Sequence, residues 1–302
     1  MPRDVRTTMT ELQRKPNELV GYWQRYDWRE SFFTPSIHIL QALTLDGRTA
    51  SGAGRTREAA FLRCLGETAE LHALAARAHV GANDFAARRD GIAAHPDADR
   101  ARQAALLEAY ERFAVLRWWH GLAEAQPLSE RWLAGQGLGS HLETARWGAA
   151  LRRRTGWWRI AGSAGPTVMI CRSMSPEGQD PVLGFGADPD PLRAARKALR
   201  ELFLMEMNLM ELMAARRTGR EAELQHVQDR ILAYARRGPQ LLPASPPVTP
   251  VQPAALPAPR EWFGTGLSLH AITPADGPLA VWLCRPDLPA PAEDAAHGLP
   301  FL

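Results

Sequence analysis

The chain has 302 residues, 45% of them hydrophobic and 23% charged, an ordinary globular composition that allows one large domain with a sizeable core. Its 36 basic and 33 acidic residues leave a formal charge of +3, too mild for the concentrated basic face of a nucleic-acid-binding protein. The three scattered cysteines exclude a disulfide framework and a paired-cysteine zinc site, and no apolar run approaches the ~20 residues of a membrane span.

The N-terminal region has no apolar segment of the kind found in secretory signals, so a cytoplasmic location is expected. Residues 1–35 are predicted to form an N-terminal arm that is polar and aromatic, with Trp23, Tyr26 and Trp28 close together. Such an arm either packs on a partner or docks on its own domain, and docking is the favoured interpretation.

Two short strands and a long helix follow the arm. The segment "SIHILQALTLDGRTASGAG" predicts two strands joined by a turn at Asp46-Gly47. Thr56 is a suitable N-cap for a helix over residues 57–79, whose apolar residues fall on one stripe at helical spacing.

The middle of the chain is predicted to contain a polar loop after residue 79 and then two helices, over residues 99–123 and 140–153. The apolar residues of the first of these helices are sufficient to make it a core helix without any ligand. The run Arg152–Arg154 is interpreted as a solvated helix end.

Residues 157–187 change to strand periodicity and predict three strands with tight connections. Asp188 or Asp190 can cap the next helix, and Pro191 fits its first turn. That helix, "PLRAARKALRELFLMEMNLMELMAARR", is long and strongly patterned.

A further helix over residues 220–236 is predicted to end at Gly238-Pro239, where a proline-rich connector over residues 239–259 begins. "GLSLHAIT" and "LAVWLCR" predict two closing strands that return to the main sheet. Together these elements predict a single large α+β domain over residues 36–302, with mixed sheets and helices packed on one side.

Glu67 and Glu70 are three residues apart and therefore neighbours on the predicted helix. Two adjacent carboxylates repel, and a cation between them would remove the repulsion. Magnesium suits such a site, particularly when a nucleotide phosphate supplies further ligands. The alternative, which is common for paired glutamates, is that both face water.

Glu201 lies among Leu199, Leu202 and Leu204 in the long helix "KALRELFLMEMNL". Burying this carboxylate unpaired would be costly, so a partner, a bound ion or a raised pKa is expected. The alternative places it at the boundary of the helix with solvent. Both glutamate-bearing helices follow a strand and a glycine-containing turn, "SGAG" and "GFGADPD", which suggests that they offer carboxylates to one cleft.

These two segments, "SGAGRTREAAFLRCLGETAE" and "DPVLGFGADPDPLRAARKALRELFLMEMNL", resemble the YcaO family. The resemblance lies in the glycine turn, the alanine-rich helix with E-x-x-E, and the strand, turn and A-L-x-E helix of the second segment. It extends from about residue 36 to the C-terminus. It implies a YcaO-like fold and an ATP-dependent enzyme that activates peptide-backbone amides, by azoline-forming cyclodehydration or by thioamide formation, in the maturation of ribosomally made peptides such as bacteriocins.

By this resemblance, Glu67, Glu70 and Glu201 would hold magnesium and the nucleotide phosphates, with Cys64 at the serine position of the nucleotide-binding motif. The implied cofactors are ATP and Mg²⁺. The implied partners are a precursor peptide and a separate polypeptide that binds its leader, because the chain has no obvious leader-binding domain. The sequence leaves the oligomeric state open between a monomer and a homodimer.

The chain departs from the family pattern S-x-x-E-x-x-E-R at Cys64 and Leu71, and Leu204 and Met205 stand where the second motif places glutamine. A thiol is a poorer donor than a hydroxyl, and leucine cannot replace a guanidinium. The alternative function is therefore a YcaO-like subunit without phosphoryl chemistry that binds a precursor peptide or a partner enzyme as a scaffold.

Overall fold

Three antiparallel sheets carry the helices of the protein. The computed structural model describes residues 18–79, 89–162, 165–250, 255–288 and 300. The strands are β1 (Trp23–Arg29), β2 (His38–Thr44), β3 (Thr49–Gly54), β4 (Gly91–His95), β5 (Ala125–Pro127), β6 (Arg154–Ile160), β7 (Thr167–Met174), β8 (Val182–Asp188), β9 (Leu267–Ala271) and β10 (Ala280–Pro286). Their orders in the sheets are β1-β2-β3, β4-β10-β9 and β5-β6-β7-β8.

Seven α-helices connect and cover these sheets in the described part of the chain. They are α1 (Arg57–His79), α2 (Ala98–Trp119), α3 (Glu130–Gly135), α4 (Leu138–Arg146), α5 (Pro191–Thr218), α6 (Gln225–Leu241) and α7 (Pro259–Phe263). The predicted single α+β domain is confirmed, but the predicted mixed sheets are corrected, since all pairings between the named strands are antiparallel. None of the described helices has both the length and the apolar composition of a membrane span.

The described part of the predicted N-terminal arm belongs to the first sheet. Strand β1 pairs with β2, and Trp23 Nε1 donates to Thr68 Oγ1 of α1 at 2.8 Å. Residues 1–17 of the arm lie outside the described residues, as does the proline-containing tail beyond residue 288 except for Pro300.

The local signals around α1 and α5 are confirmed in detail. The Ala59 amide donates to Thr56 Oγ1 at 3.1 Å, so Thr56 caps α1. Asp190 caps α5 by accepting from the Leu192 amide at 2.9 Å, and Pro191 occupies its first turn. Both helices begin where the chain's polar caps placed them.

Several predicted boundaries are wrong. Helix α2 ends at Trp119 instead of residue 123, and α4 ends at Arg146 instead of residue 153, because Gly121 and Gly148 follow them with positive φ. Helix α6 continues to Leu241 through Pro239, a position in the last turn where a proline removes only one helical hydrogen bond. The sequence predicts none of the strands β1, β4 and β5, nor helix α3.

The closing strands β9 and β10 do not join the sheet that contains β8, which corrects the predicted return to a main sheet. They pair instead with β4, giving the order β4-β10-β9. The sequence predicts a polar loop where β4 lies, because the strand has only five residues, three of them glycine or alanine. Its short side chains let the strand approach α2 closely.

Three strand–helix units recur in the fold: β3 with α1, β4 with α2, and β8 with α5. In each unit a strand glycine lies against the backbone of the helix, Gly52 on α1, Gly91 on α2 and Gly184 on α5. A Cβ atom at Gly184 would collide with the carbonyl oxygen of Ala198 and the amide of Leu202. The close approach therefore depends on the missing side chain.

We expect Gly184→Ala to destabilise the protein by roughly 3 kcal/mol, since the colliding atoms are backbone that cannot rotate away. Chemical denaturation measures the change. The matched control is Gly139→Ala in α4, where a Cβ atom meets open space and a small stabilisation is expected. Equal stability of the two variants would contradict the close packing of β8 on α5.

Candidate functional site

A cavity of about 420 Å³ lies where the three strand–helix units meet, and we call it the acidic cavity. Its lining residues come from the first and third sheets, from α1, α2, α5 and α6, and from Pro300. They are Gln41, Ser51, Glu67, Glu108, Glu111, Arg112, Leu183, Glu201, Leu204, Met205, Asn208, Tyr234 and Pro300.

In each unit, a main-chain amide of the strand donates a hydrogen bond to one glutamate of the helix. The Ser51 amide donates to Glu67 Oε2 at 2.6 Å, and the Ser51 hydroxyl donates to the same oxygen at 3.1 Å. In the other two units, the equivalent bonds are Ile92 N to Glu108 Oε2 at 3.0 Å and Phe185 N to Glu201 Oε2 at 2.6 Å. The donor precedes its glutamate by 16 residues in all three units.

Two further glutamates, one turn later on their helices, reach the strand of the next unit. The Ala94 amide of β4 donates to Glu70 Oε1 at 2.9 Å, and the Ala187 amide of β8 donates to Glu111 Oε2 at 2.8 Å. These bonds tie the first unit to the second and the second to the third. The corresponding position of the third unit is Leu204, which cannot make such a bond.

The charges of these carboxylates act on one another, and burial raises the pKa of four of them. Burial first, and then the charge of Glu108, raises the pKa of Glu67 to about 7 and that of Glu111 to about 7. The same two causes raise the pKa of Glu70 well above its usual value. For Glu201, burial is followed by the charge of Glu111. Desolvation in a site with too few cations therefore opposes the ionised forms.

Arg112 is the guanidinium hydrogen-bonded into this group of carboxylates. It pairs with Glu108 one turn earlier on α2. Burial acts to lower the pKa of Arg112, but the charge of Glu108 and their hydrogen bond outweigh it, so the pKa is raised. The ammonium of Lys197 also acts on Glu111, while its Nζ donates to the carbonyl of Ala187 at 2.9 Å.

Two arginines stand one helical turn before cavity-lining residues. Arg63 precedes Glu67 on α1 by four positions, and Arg200 precedes Leu204 on α5 by four, so each shares the helix face of a residue that lines the cavity. Burial and the charge of Arg63 lower the pKa of Arg200 to about 10. The two guanidinium groups are thus close enough to repel each other.

The buried glutamates predict an unusual pH dependence of stability. Glu67 and Glu111 keep their protons up to a pKa of about 7 in the folded state, whereas both lose them near 4.5 when unfolded. The folded state therefore binds more protons in between, and its stability falls as the pH rises through 7. We expect a melting temperature roughly 5 °C lower at about pH 8 than at about pH 5.5 without added metal.

Differential scanning calorimetry of the wild-type protein and of a Glu67→Gln/Glu111→Gln double variant measures this effect. The double variant lacks two of the titrating groups, so its melting temperature should change less between the two pH values. A steeper fall in the double variant would show that other groups cause the dependence.

The structure brings three of the four sequence-predicted site residues together. Glu67 and Glu201 line the acidic cavity, and Glu70 lies within electrostatic reach of Glu67 and Glu108. Cys64 lies elsewhere: it is fully buried in the core beneath β3, and its thiol donates to the carbonyl of Ala50 at 3.5 Å. Burial, followed by the charge of Glu67, raises the pKa of this thiol to about 12.

Glu108, Glu111 and Arg112 were missed because the apolar residues of α2 already explained it as a core helix. A usable signal was present, since "EAYER" repeats the three-residue spacing of Glu67 and Glu70 and adds the arginine that Leu71 does not provide. The full E-x-x-E-R pattern of the resemblance therefore occurs on α2.

The donor set of the acidic cavity fits a magnesium–nucleotide complex. The strand bonds engage one oxygen each of Glu67, Glu111 and Glu201, and carboxylate oxygens are the ligands that Mg²⁺ prefers. Among the described residues, no three His, Cys, Asp or Glu side chains form a ready metal cage. Mg²⁺ is typically held by one or two carboxylates together with phosphate oxygens and water, so a complete cage is not required.

Comparison with known families gives one match. The family described as YcaO cyclodehydratase, ATP- and Mg²⁺-binding, matches residues 76–263. These residues include Glu108, Glu111 and Glu201 but begin after Glu67 and Glu70. No curated protein matches the sequence.

Solved structures share the fold at low sequence identity. The YcaO protein of Methanopyrus kandleri bound with AMPPCP and Mg²⁺ is 16% identical with a TM-score of 0.64, covering 98% of this chain and 94% of that one. A heterocyclase in complex with substrate and cofactor is 14% identical with a TM-score of 0.62, covering 90% of this chain and 52% of that one. This chain thus spans about half the length of the heterocyclase.

A third similar structure is the E. coli microcin synthetase McbBCD complex with pro-MccB17 bound. It is 12% identical with a TM-score of 0.57, and the match covers 86% of each chain. At such identities these likenesses establish the fold.

Proposed function

The chain belongs to the YcaO family, and on that premise we propose that it is an ATP- and magnesium-dependent enzyme that modifies backbone amides of a ribosomally made peptide. The observation that carries the proposal is the convergence of four carboxylates from three helices, Glu67, Glu108, Glu111 and Glu201, on one cavity, with Glu70 within electrostatic reach of Glu67 and Glu108. Burying that much negative charge with Arg112 as its hydrogen-bonded cation is costly unless a dication joins it.

The residues proposed to bind MgATP form two groups, the carboxylates and the arginines. Glu67, Glu70, Glu108, Glu111 and Glu201 are the carboxylates from which the ligands for magnesium would come. Bound MgATP would supply the phosphoryl group that turns a peptide amide oxygen into a leaving group, after a neighbouring Cys, Ser or Thr side chain of the peptide has attacked that amide carbon.

Three arginines supply the positive charge of the proposed site. Arg112 neutralises part of the carboxylate group and keeps Glu108 in position through their pair. Arg63 and Arg200 act on each other electrostatically, and each lies one helical turn before a cavity-lining residue, so they are suited to contact phosphate oxygens, which guanidinium groups bind in a fork. Fixed charges of this kind stabilise the negative charge on a transferring phosphoryl group.

Part of the cavity wall is uncharged. Leu183, Leu204, Met205 and Tyr234 line it, and the Tyr234 hydroxyl donates to the carbonyl oxygen of Pro300 at 2.5 Å. Such a wall excludes water from one side of the cavity and strengthens the electrostatic interactions within it. We assign Leu204 and Met205 to this role rather than to polar contacts with the nucleotide.

Isothermal titration calorimetry with ATP and Mg²⁺ tests the proposal. Wild-type protein should bind the complex, binding should disappear when EDTA removes the metal, and Glu67→Gln should bind at least roughly tenfold more weakly. The control is Glu130→Gln, an exposed residue of α3 that does not line the cavity. Absence of binding at any nucleotide concentration would leave the catalytically degenerate scaffold as the function.

That scaffold is the second candidate, and Leu71 and Leu204 favour it because polar residues are expected at these positions in an ATP-using member. Arg112 opposes it, since the E-x-x-E-R pattern on α2 keeps its guanidinium in the cavity. Phosphate release from ATP that depends on a precursor peptide would distinguish the enzyme from the scaffold.

The proposal includes two polypeptide partners, a precursor peptide and a separate protein that binds its leader. The match to the microcin synthetase complex, a multi-subunit structure that holds its peptide, supports this arrangement. A pull-down should then retain the precursor only when both proteins are present. Strong retention by this chain alone would contradict the need for a second protein.

A further inference from the structure

Four arginines lie together where the start of α1 meets α4 and α5, and we call them the arginine cluster. They are Arg55, Arg63, Arg196 and Arg200. Arg55 precedes α1, Arg63 lies on α1, and the other two lie on α5. None of the four forms an ion pair with a residue that the structure describes.

The apolar core beneath the cluster brings its parts together. One buried group of side chains includes Ala53 of β3, Ala145 of α4, and Ala194 and Ala198 of α5. Arg55 follows Ala53 by two positions, and Arg196 lies between the two alanines of α5. The cluster therefore covers one continuous part of the fold.

The charges of the arginine cluster act on one another and on His141 of α4. Burial first, and then the charges of Arg55, Arg196 and Arg200, lowers the pKa of His141. Burial first, and then the charge of Arg63, lowers the pKa of Arg200 to about 10. Like charges within such a range repel one another, and an anion bound between them would relieve the repulsion.

Nearby carboxylates do not neutralise the cluster. Asp188, whose charge acts on Arg200, already pairs with two other cations, Arg193 at 2.9 Å and Lys197 at 3.3 Å. Glu58, in the first turn of α1, forms no ion pair with any described residue. The excess positive charge of the cluster is therefore available to an external ligand.

Two members of the cluster have side chains that are entirely uncommitted. Arg55 and Arg196 are exposed, and neither guanidinium has a hydrogen bond, an ion pair or a ring contact with a described residue. We call these two the outer pair. In contrast, Arg63 donates to the carbonyl of Ala53 at 2.7 Å, and Arg200 is partly buried. The outer pair has no part in the nucleotide contacts proposed for Arg63 and Arg200.

The outer pair lies close enough to the acidic cavity for one peptide to reach both. Arg196 precedes the cavity-lining Leu204 by eight residues on the same face of α5, which is about 12 Å at about 1.5 Å per residue. An extended peptide covers about 3.3 Å per residue, so about four residues span that distance. A peptide whose amide enters the cavity can therefore place a nearby side chain beside the outer pair.

We propose that the outer pair binds an acidic side chain of the precursor peptide, within about five residues of the amide that is modified. This inference rests on the proposed function and names the class of peptide that the acidic cavity receives. Guanidinium groups form paired, charge-assisted hydrogen bonds with carboxylates, and neither Arg55 nor Arg196 has to give up an existing partner to do so.

Fluorescence anisotropy with synthetic peptides tests the proposal, with MgAMPPCP present to fill the nucleotide site. Each labelled peptide has about fifteen residues of Gly and Ser around a central Cys, with Asp, Asn or Lys four positions before and after the Cys. Full-length wild-type protein should bind the Asp peptide roughly tenfold more tightly than the Asn peptide. The variant Arg55→Glu/Arg196→Glu should lose this preference and bind the Lys peptide more tightly than the Asp peptide.

The matched control is Arg152→Glu/Arg220→Glu, which makes the same change of charge at two exposed arginines outside the cluster. It should keep the wild-type preference for the Asp peptide. The single variants Arg55→Gln and Arg196→Gln, which change the charge less, should each weaken binding of the Asp peptide roughly threefold. A reversed preference for the Lys peptide cannot result from unfolding.

Two results would overturn the proposal. One is equal affinity of wild type for the Asp and Asn peptides, including no binding of either. The other is an unchanged peptide preference in Arg55→Glu/Arg196→Glu together with a loss of MgATP binding in calorimetry, which would assign the outer pair to nucleotide phosphates. Calorimetry of wild type with MgATP tests the proposed function separately, so the two failures are distinguishable.

Discussion

Replacing Glu108 by glutamine is expected to weaken Mg²⁺-dependent nucleotide binding by roughly 100-fold. Glu108 is the common neighbour of the acidic cavity, because its charge raises the pKa of Glu67, Glu70, Glu111 and Glu201. Its removal deletes a carboxylate and also releases Arg112 from its ion pair. Isothermal titration calorimetry of MgATP measures the loss.

The pH dependence separates this electrostatic role from simple unfolding. With Glu108 uncharged, the remaining carboxylates ionise at lower pH, so the residual Mg²⁺ affinity of Glu108→Gln should reach its plateau at lower pH than that of wild type. Glu130→Gln on the surface of α3 should match wild type in both respects. Wild-type affinity in Glu108→Gln would place the metal ligands elsewhere.

The second large effect is expected for Arg112→Met, which keeps the volume of the side chain and removes its charge. The carboxylate group then loses its hydrogen-bonded cation, and we expect a loss of about 3 kcal/mol in the free energy of unfolding at about pH 8. At about pH 5.5 the loss should be smaller, since Glu67 and Glu111, with pKa values of about 7, are then protonated.

Chemical denaturation at the two pH values, with and without Mg²⁺, measures this difference. Mg²⁺ should stabilise Arg112→Met more than it stabilises wild type at about pH 8, because a dication replaces the missing charge. Arg220→Met, at an exposed arginine, should leave stability within about 0.5 kcal/mol of wild type. An equal loss at both pH values would mean that Arg112 acts through packing alone.

The sequence predicted α1, α5 and their caps well because their signals are local. Thr56, Asp190 and Pro191 act within a turn of their own positions, and the apolar stripe of α1 extends over its whole length. The pairing of β9 and β10 with β4 could not be found in this way. Strand pairing depends on partners nearly two hundred residues away, and β4 is too short to show a period.

The candidate site was predicted in part for a similar reason. The sequence predicts Glu67, Glu70 and Glu201 as site residues because each follows a glycine-bearing strand in sequence or lies among apolar residues. Glu108 and Glu111 have the same arrangement, but the strand that precedes them was not recognised. Their helix therefore looked like core, although its glutamates face the same cavity.

The way these carboxylates are held has a consequence for the evolution of the protein. Glu67, Glu70, Glu108, Glu111 and Glu201 are each held by a main-chain amide of a strand. A main-chain amide survives every substitution except proline, so the donor residues of the strands can drift, outside the glycines that contact the helices, while the carboxylates keep their places. A lineage of such chains can therefore diverge until little shared sequence is left and still preserve the same acidic centre.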